Sequence, residues 1–163
     1  MSLQPSPAYT IKSHEALTRS LAKLGYFEEA LDAAERAVEL GSIDLTVRLR
    51  LAWLRARIGR VAEAVTEADS ALSFSGSFPR PSDEHVRALC ALGRTPEAAE
   101  SAQNAAEQDA RDLPAQCAAA LLHVAEGRTE AAARLLTALV AHPDPRMSRF
   151  GVLGLEVLEV RAA

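Results

Sequence analysis

The sequence predicts an all-α protein of four helix-turn-helix repeats in tandem, closed by a C-terminal capping helix. Three observations carry that expectation. Alanine dominates, arginine far outnumbers lysine, and 4% of the residues are aromatic; Ala, Leu, Glu and Arg lose little rotamer freedom in a helix, whereas strands draw on Val, Ile, Thr and Tyr. Four of the eight glycines, Gly25, Gly59, Gly93 and Gly127, each follow the last by 34 residues, and self-similarity at such a period marks a repeat architecture. Small residues share the grid, with Ala30, Ala64, Ala98 and Ala132 at one fixed offset after the glycines.

Each repeat reads as a hydrophobic first helix, a glycine turn and an Ala-faced second helix. Leu24, Ile58 and Leu92 precede three of the glycines. Ala34, Ala68, Ala102 and Leu136, then Ala37, Ala71, Ala105 and Leu139, continue the column begun at Ala30. Spacings of four and three place these residues on one face, small enough to let a neighbour approach closely. Thr95-Pro96-Glu97 is expected to open a second helix with Thr95 as its N-cap, and Thr129-Glu130 to repeat the cap. Gly41 and Gly76 fall where second helices should end. Pro79 and Pro81, followed by Ser82-Asp83-Glu84, predict a longer loop before the third repeat, and Pro143-Asp144-Pro145 a fresh start for the last helix. The repeats so defined run over about 11–44, 45–78, 79–112 and 113–146, with a capping helix over about 146–161. Residues 1–7 read as a flexible N-terminus or tag remnant, and residues 8–163 as one domain.

Composition narrows the function classes. A formal net charge of −4 gives no general case for nucleic acid, which needs a surplus of cations. No apolar run is long enough to span a bilayer, and the first residues lack the charged and apolar regions of a signal peptide, so a cytoplasmic protein is expected. Cys90 and Cys117 form no CxxC motif and read as buried thiols; family register also turns both toward the groove, beyond disulfide reach of each other. His14, His85, His123 and His142 stand alone, with neither HExxH nor a phosphate-binding or nucleophile-elbow motif in the chain. No enzyme, metal or cofactor is expected.

The run Gly25-Tyr26-Phe27-Glu28-Glu29-Ala30-Leu31, with Ala34 and Ala37, resembles the second half of a tetratricopeptide repeat, and the likeness covers about residues 11 to 144. The first halves depart from that pattern, having His14, Arg48, Ser82 and Gln116 where the family usually shows tryptophan. The resemblance implies a right-handed α-α superhelix, because a single hairpin cannot bury its apolar face alone. It also implies a scaffold or adaptor that binds a peptide or protein in a concave groove lined by the first helices.

Family register places Lys12, Arg19 and Lys23 of repeat 1 in that groove. Arg50, Trp53 and Arg57 follow from repeat 2, Arg80 and Arg87 from repeat 3, and Leu121 and Val124 from repeat 4. The first helix of repeat 2 carries Arg48, Arg50, Arg55 and Arg57 with no acid, whereas the neighbouring second helices are acidic. A basic inner surface is therefore expected, with Trp53 as an anchor and arginine as a fork for carboxylates. It would bind an acidic or carboxylate-terminated peptide. The alternative is that these arginines pair with the acidic helices and Trp53 is core. At class level, the alternatives are the regulatory region of a larger transcriptional or secretion-related protein, or an enzyme on a helical scaffold. The last helix is apolar on two faces, Phe150, Leu153 and Val157 on one and Val152, Leu155 and Leu158 on the other. That predicts either a homodimer through this helix or a cut from a longer array.

Overall fold

The computed structural model describes residues 7–73 and 84–159, and among these the regular structure is helical throughout. Nine helices are described: α1 (Pro7–Lys23), α2 (Phe27–Glu39), α3 (Leu45–Ile58), α4 (Val61–Ser73), α5 (Glu84–Ala91), α6 (Thr95–Gln108), α7 (Leu113–Ala125), α8 (Thr129–Val140) and α9 (Pro145–Glu159). The expected loop at Pro79 and Pro81, with Gly76 and Arg80, lies outside the described residues.

The glycine grid is the hinge set of the hairpins. Gly25, Gly59, Gly93 and Gly127 all have positive φ, between 72° and 95°, a region that glycine enters without the Cβ clash other residues suffer. Each closes its helix with the same paired hydrogen bonds: Gly59 N–H donates to Ala56 O and Arg60 N–H to Arg55 O, and the other three turns repeat the pattern. This is the Schellman arrangement, which satisfies carbonyls left over at a helix C-terminus. Gly41, at φ 101°, ends α2 in the same way.

The turns are tighter than the expected caps allow. Thr95 and Thr129 lie inside α6 and α8; the cap positions are Arg94 and Arg128, and neither makes a side-chain capping bond. The residue after each glycine donates backward to the finished helix and accepts from the next, as Arg94 does with Leu89 O and Ala98 N. No position remains for a separate cap. True side-chain caps occur where the link is longer: Asp44 accepts from Thr46 N–H at 2.7 Å, and Asp112 from Ala115 N–H at 3.1 Å.

Sequential helices pack as neighbours, which is consistent with a helical repeat. Two helices are central. The α3 helix touches α1, α2, α4, α7 and α9, and α7 touches α3, α4, α6, α8 and α9. The described part of α5 is only 8 residues long and lies against α4 and α6, so α7 reaches past it to α3 and α4. The small-residue columns make these approaches possible: Ala30, Ala34, Ala64, Ala98, Ala102 and Ala132 are all fully buried. The core has two parts, a large one spanning α3 to α9 and a smaller one among α1, α2 and α3.

The last helix folds back onto the first helices. Met147, Phe150, Leu153 and Val157 enter the main core, and α9 touches α1, α3, α7 and α8. Gly151 and Gly154 make the approach possible: a Cβ on Gly154 would stand 2.5 Å from Trp53 Cζ2, and one on Gly151 would stand 2.8 Å from the Val140 backbone nitrogen. Leu155 and Leu158, expected on a second bare face, pack partly against the core, while Val152 remains exposed.

Candidate functional site

The arginines of α3 meet acids from its neighbours. Arg48 bonds Glu67 at 3.3 Å, and Arg55 lies between Glu35, Glu63 and Glu67 at 3.5 to 3.8 Å. Arg57 stacks over the Phe27 ring, 5.2 Å from its centroid. The separation of charge by helix along the chain therefore becomes local pairing in space. This corrects the expectation of a continuous basic inner surface, because acidic α2 and α4 flank α3 closely enough to neutralise it.

Trp53 is a second correction. It is fully buried, its ring centroid is 4.6 Å from that of Phe150, and its indole N–H donates to Phe150 O at 3.0 Å. It is not an open anchor, because α9 covers it. Leu121 and Val124 are likewise buried in the main core rather than displayed in a groove, since α7 is enclosed on several sides. Cys90 and Cys117 also belong to this core, as buried thiols. Burial, with Asp69 as a smaller contribution, pushes the Cys90 thiol up to about 11 and that of Cys117 well above its ordinary value. Arg87 is exposed on α5.

Four of the expected groove residues do come together. Lys12, Arg19 and Arg50 line a cleft of about 350 Å³ between α1 and α3. Lys23 and Arg50 line a second cleft, of about 240 Å³, between α1, α3 and α9. Arg50 is common to both. Its side chain is 9% exposed, and its Nη1 donates to Glu156 Oε2 of α9 at 3.1 Å.

The clefts also hold acids, most of them engaged. Glu15 faces Lys12 at 3.5 Å and accepts from Ser42 Oγ at 2.7 Å; Asp44 caps α3. Glu156 holds Arg50, and Glu159 lines the second cleft. Arg19 and Lys23 are exposed and have no ion pair among the described residues. One turn apart on α1, they face the same way. Sequence reasoning found the cations and missed Glu156, because register within a repeat says nothing about what the capping helix lays across it.

Among the described residues no group of three or more His, Cys, Asp or Glu is placed to hold a metal, and no helix is long and apolar enough to cross a membrane. No protein-family model matches the chain, and no curated protein or solved structure is detectably similar to it.

Proposed function

We propose that this chain is a scaffold of the tetratricopeptide type, its helical pairs winding as a right-handed superhelix, and that it holds an acidic or carboxylate-terminated segment of a protein partner. The fold part of this reading is supported by the recurrence of one glycine turn, with one hydrogen-bond pattern, at Gly25, Gly59, Gly93 and Gly127. The binding part rests on a single observation: Arg19, Lys23 and Arg50 line adjoining clefts, two of them with no described ionic partner and the third with one. Guanidinium groups suit carboxylates because their donors form a planar fork.

The binding surface of this reading is smaller than a fully open groove, since α9 fills the part beside Trp53 and α7. It is confined to the strip between α1, α3 and the end of α9. Affinity capture from native cells tests it, comparing the natural chain with an Arg19→Gln/Lys23→Gln variant at low and high salt. A partner held by these cations elutes as salt screens the charges and is lost by the variant. Equal capture by both proteins at both salts rejects the strip as the binding surface.

A further inference from the structure

Resting on the acid-binding reading above, we propose that Glu156 stands in for a carboxylate of the partner. The partner is then an extended segment with acids at alternate positions, two successive ones meeting Arg19 and Lys23 while a further one takes Arg50 from Glu156.

The state of Arg50 points to this. A guanidinium carries five N–H donors, yet this one makes a single-point contact with Glu156. Its remaining nitrogens are not sealed in the core, because the buried side-chain atoms without a hydrogen-bond partner belong to Arg55 and His123. Arg50 itself lines both clefts. A carboxylate entering from either side can engage the fork through two bonds, a better geometry than Glu156 achieves through one.

Glu156 is free to yield while α9 is not. The Glu156 side chain is 37% exposed, so it can swing into water without opening the core. The helix that carries it is anchored by Met147, Phe150, Leu153 and Val157, all nearly or fully buried. Displacement of one side chain, with the helix left in place, is therefore the event that admits the ligand.

The spacing follows from α1. Arg19 and Lys23 are four residues apart, an advance of about 6 Å along a helix. Alternate side chains on an extended chain are about 6.6 Å apart on the same side. Acids at every second position thus match these cations, whereas acids at consecutive positions point to opposite faces.

Fluorescence anisotropy at low salt on the full chain tests the proposal, with a labelled, C-terminally amidated Glu-Ser-Glu-Ser-Glu-Ser peptide and its block isomer Glu-Glu-Glu-Ser-Ser-Ser. Fluorescence of buried Trp53 serves as the check that each protein is folded. The alternating peptide should bind more tightly than the block isomer, Glu156→Gln should tighten it about fivefold, and Arg19→Gln/Lys23→Gln should weaken it. Unchanged or weaker binding by Glu156→Gln overturns the stand-in role, while a loss confined to Arg19→Gln/Lys23→Gln would leave the acid-binding cleft standing. Equal binding of the two isomers overturns the alternate spacing. No binding by any of the three proteins overturns both this proposal and the reading beneath it.

Discussion

The indole N–H of Trp53 donates to the carbonyl oxygen of Phe150 at 3.0 Å, joining residues 97 positions apart in the chain. The bond lies in the main core, and the two rings are in contact at 4.6 Å. A helix carbonyl normally receives the amide four residues on, so this oxygen has the indole as an additional donor. The pair fixes both the depth of α9 against α3 and the rotation of α9 about its own axis. The rotation in turn aims Glu156 at Arg50.

Removing that bond should be measurable apart from removing the ring. Trp53→Phe keeps most of the apolar bulk and withdraws the donor, and it should cost about 0.5–1.5 kcal/mol, since Phe150 O keeps its helix amide. Trp53→Ala adds a cavity at a fully buried site and should cost about 3–5 kcal/mol. Urea denaturation followed by circular dichroism separates the two. Unchanged stability of Trp53→Phe would mean that the hydrogen bond contributes nothing beyond packing.

Gly154→Ala opposes two known effects. Alanine is the better helix former by about 1 kcal/mol, but the added methyl would meet Trp53 Cζ2 at 2.5 Å and Leu136 Cδ2 at 2.6 Å. Both neighbours are fully buried and have little room to move. Overpacking of about 1–3 kcal/mol should therefore prevail, giving net destabilisation and an altered Trp53 emission. A more stable variant with unchanged emission would refute the close docking of α9.

The turn glycines should respond to backbone conformation alone. A Cβ at Gly127 would meet no atom within 4 Å, yet its φ is 72°. Gly127→Ala should thus cost about 1–2 kcal/mol, and Gly127→Asn less, because asparagine tolerates the left-handed region better. Thermal unfolding of the two variants against the parent gives the ranking.

His123 gives the protein an acid-sensitive element. Its Nε2 lies 2.8 Å from Gln103 Oε1, which can only accept, while Nδ1 is buried without a partner. Burial, then nearby Arg128, lowers its pKa from 6.5. The folded state accordingly binds fewer protons than the unfolded chain, so this contribution is present above pH 6.5 and is lost progressively as pH falls below it. His123→Leu should flatten that part of the stability profile measured by denaturation from pH 7.5 to pH 5 (about the range over which histidine titrates).

The two thiols should be silent in the native protein. Because Cys90 and Cys117 are buried with raised pKa values, little thiolate exists to attack. Alkylation by iodoacetamide at pH 8 should proceed only after denaturant is added, as read by intact mass. Rapid native labelling of either would contradict its placement in the core.

The hairpin plan was legible along the chain because its causes are local. A left-handed turn favours glycine wherever it occurs, so Gly25, Gly59, Gly93 and Gly127 disclose their own φ, and the alanine columns disclose a face by spacing alone. The helix starts were shifted by a residue at Thr95 and Thr129, since the turn uses its last residue twice. Of the candidate site, Lys12, Arg19, Lys23 and Arg50 were found because they share the inner register of α1 and α3. The fates of Arg48, Arg55 and Trp53 could not be read in this way, because each depends on a partner contributed by another helix: Glu67, Glu35 and Phe150 respectively.

Local conformational preference thus determined the helices, their glycine hinges and their small-residue faces from sequence by itself. Only the tertiary structure decided that α9 returns to cover Trp53, that most of the α3 arginines are neutralised, and that Arg50 is held by an acid 106 residues away. The physical reason is range. Steric limits on φ act within one or two residues, whereas burial and ion pairing depend on which surfaces meet once the whole chain has folded.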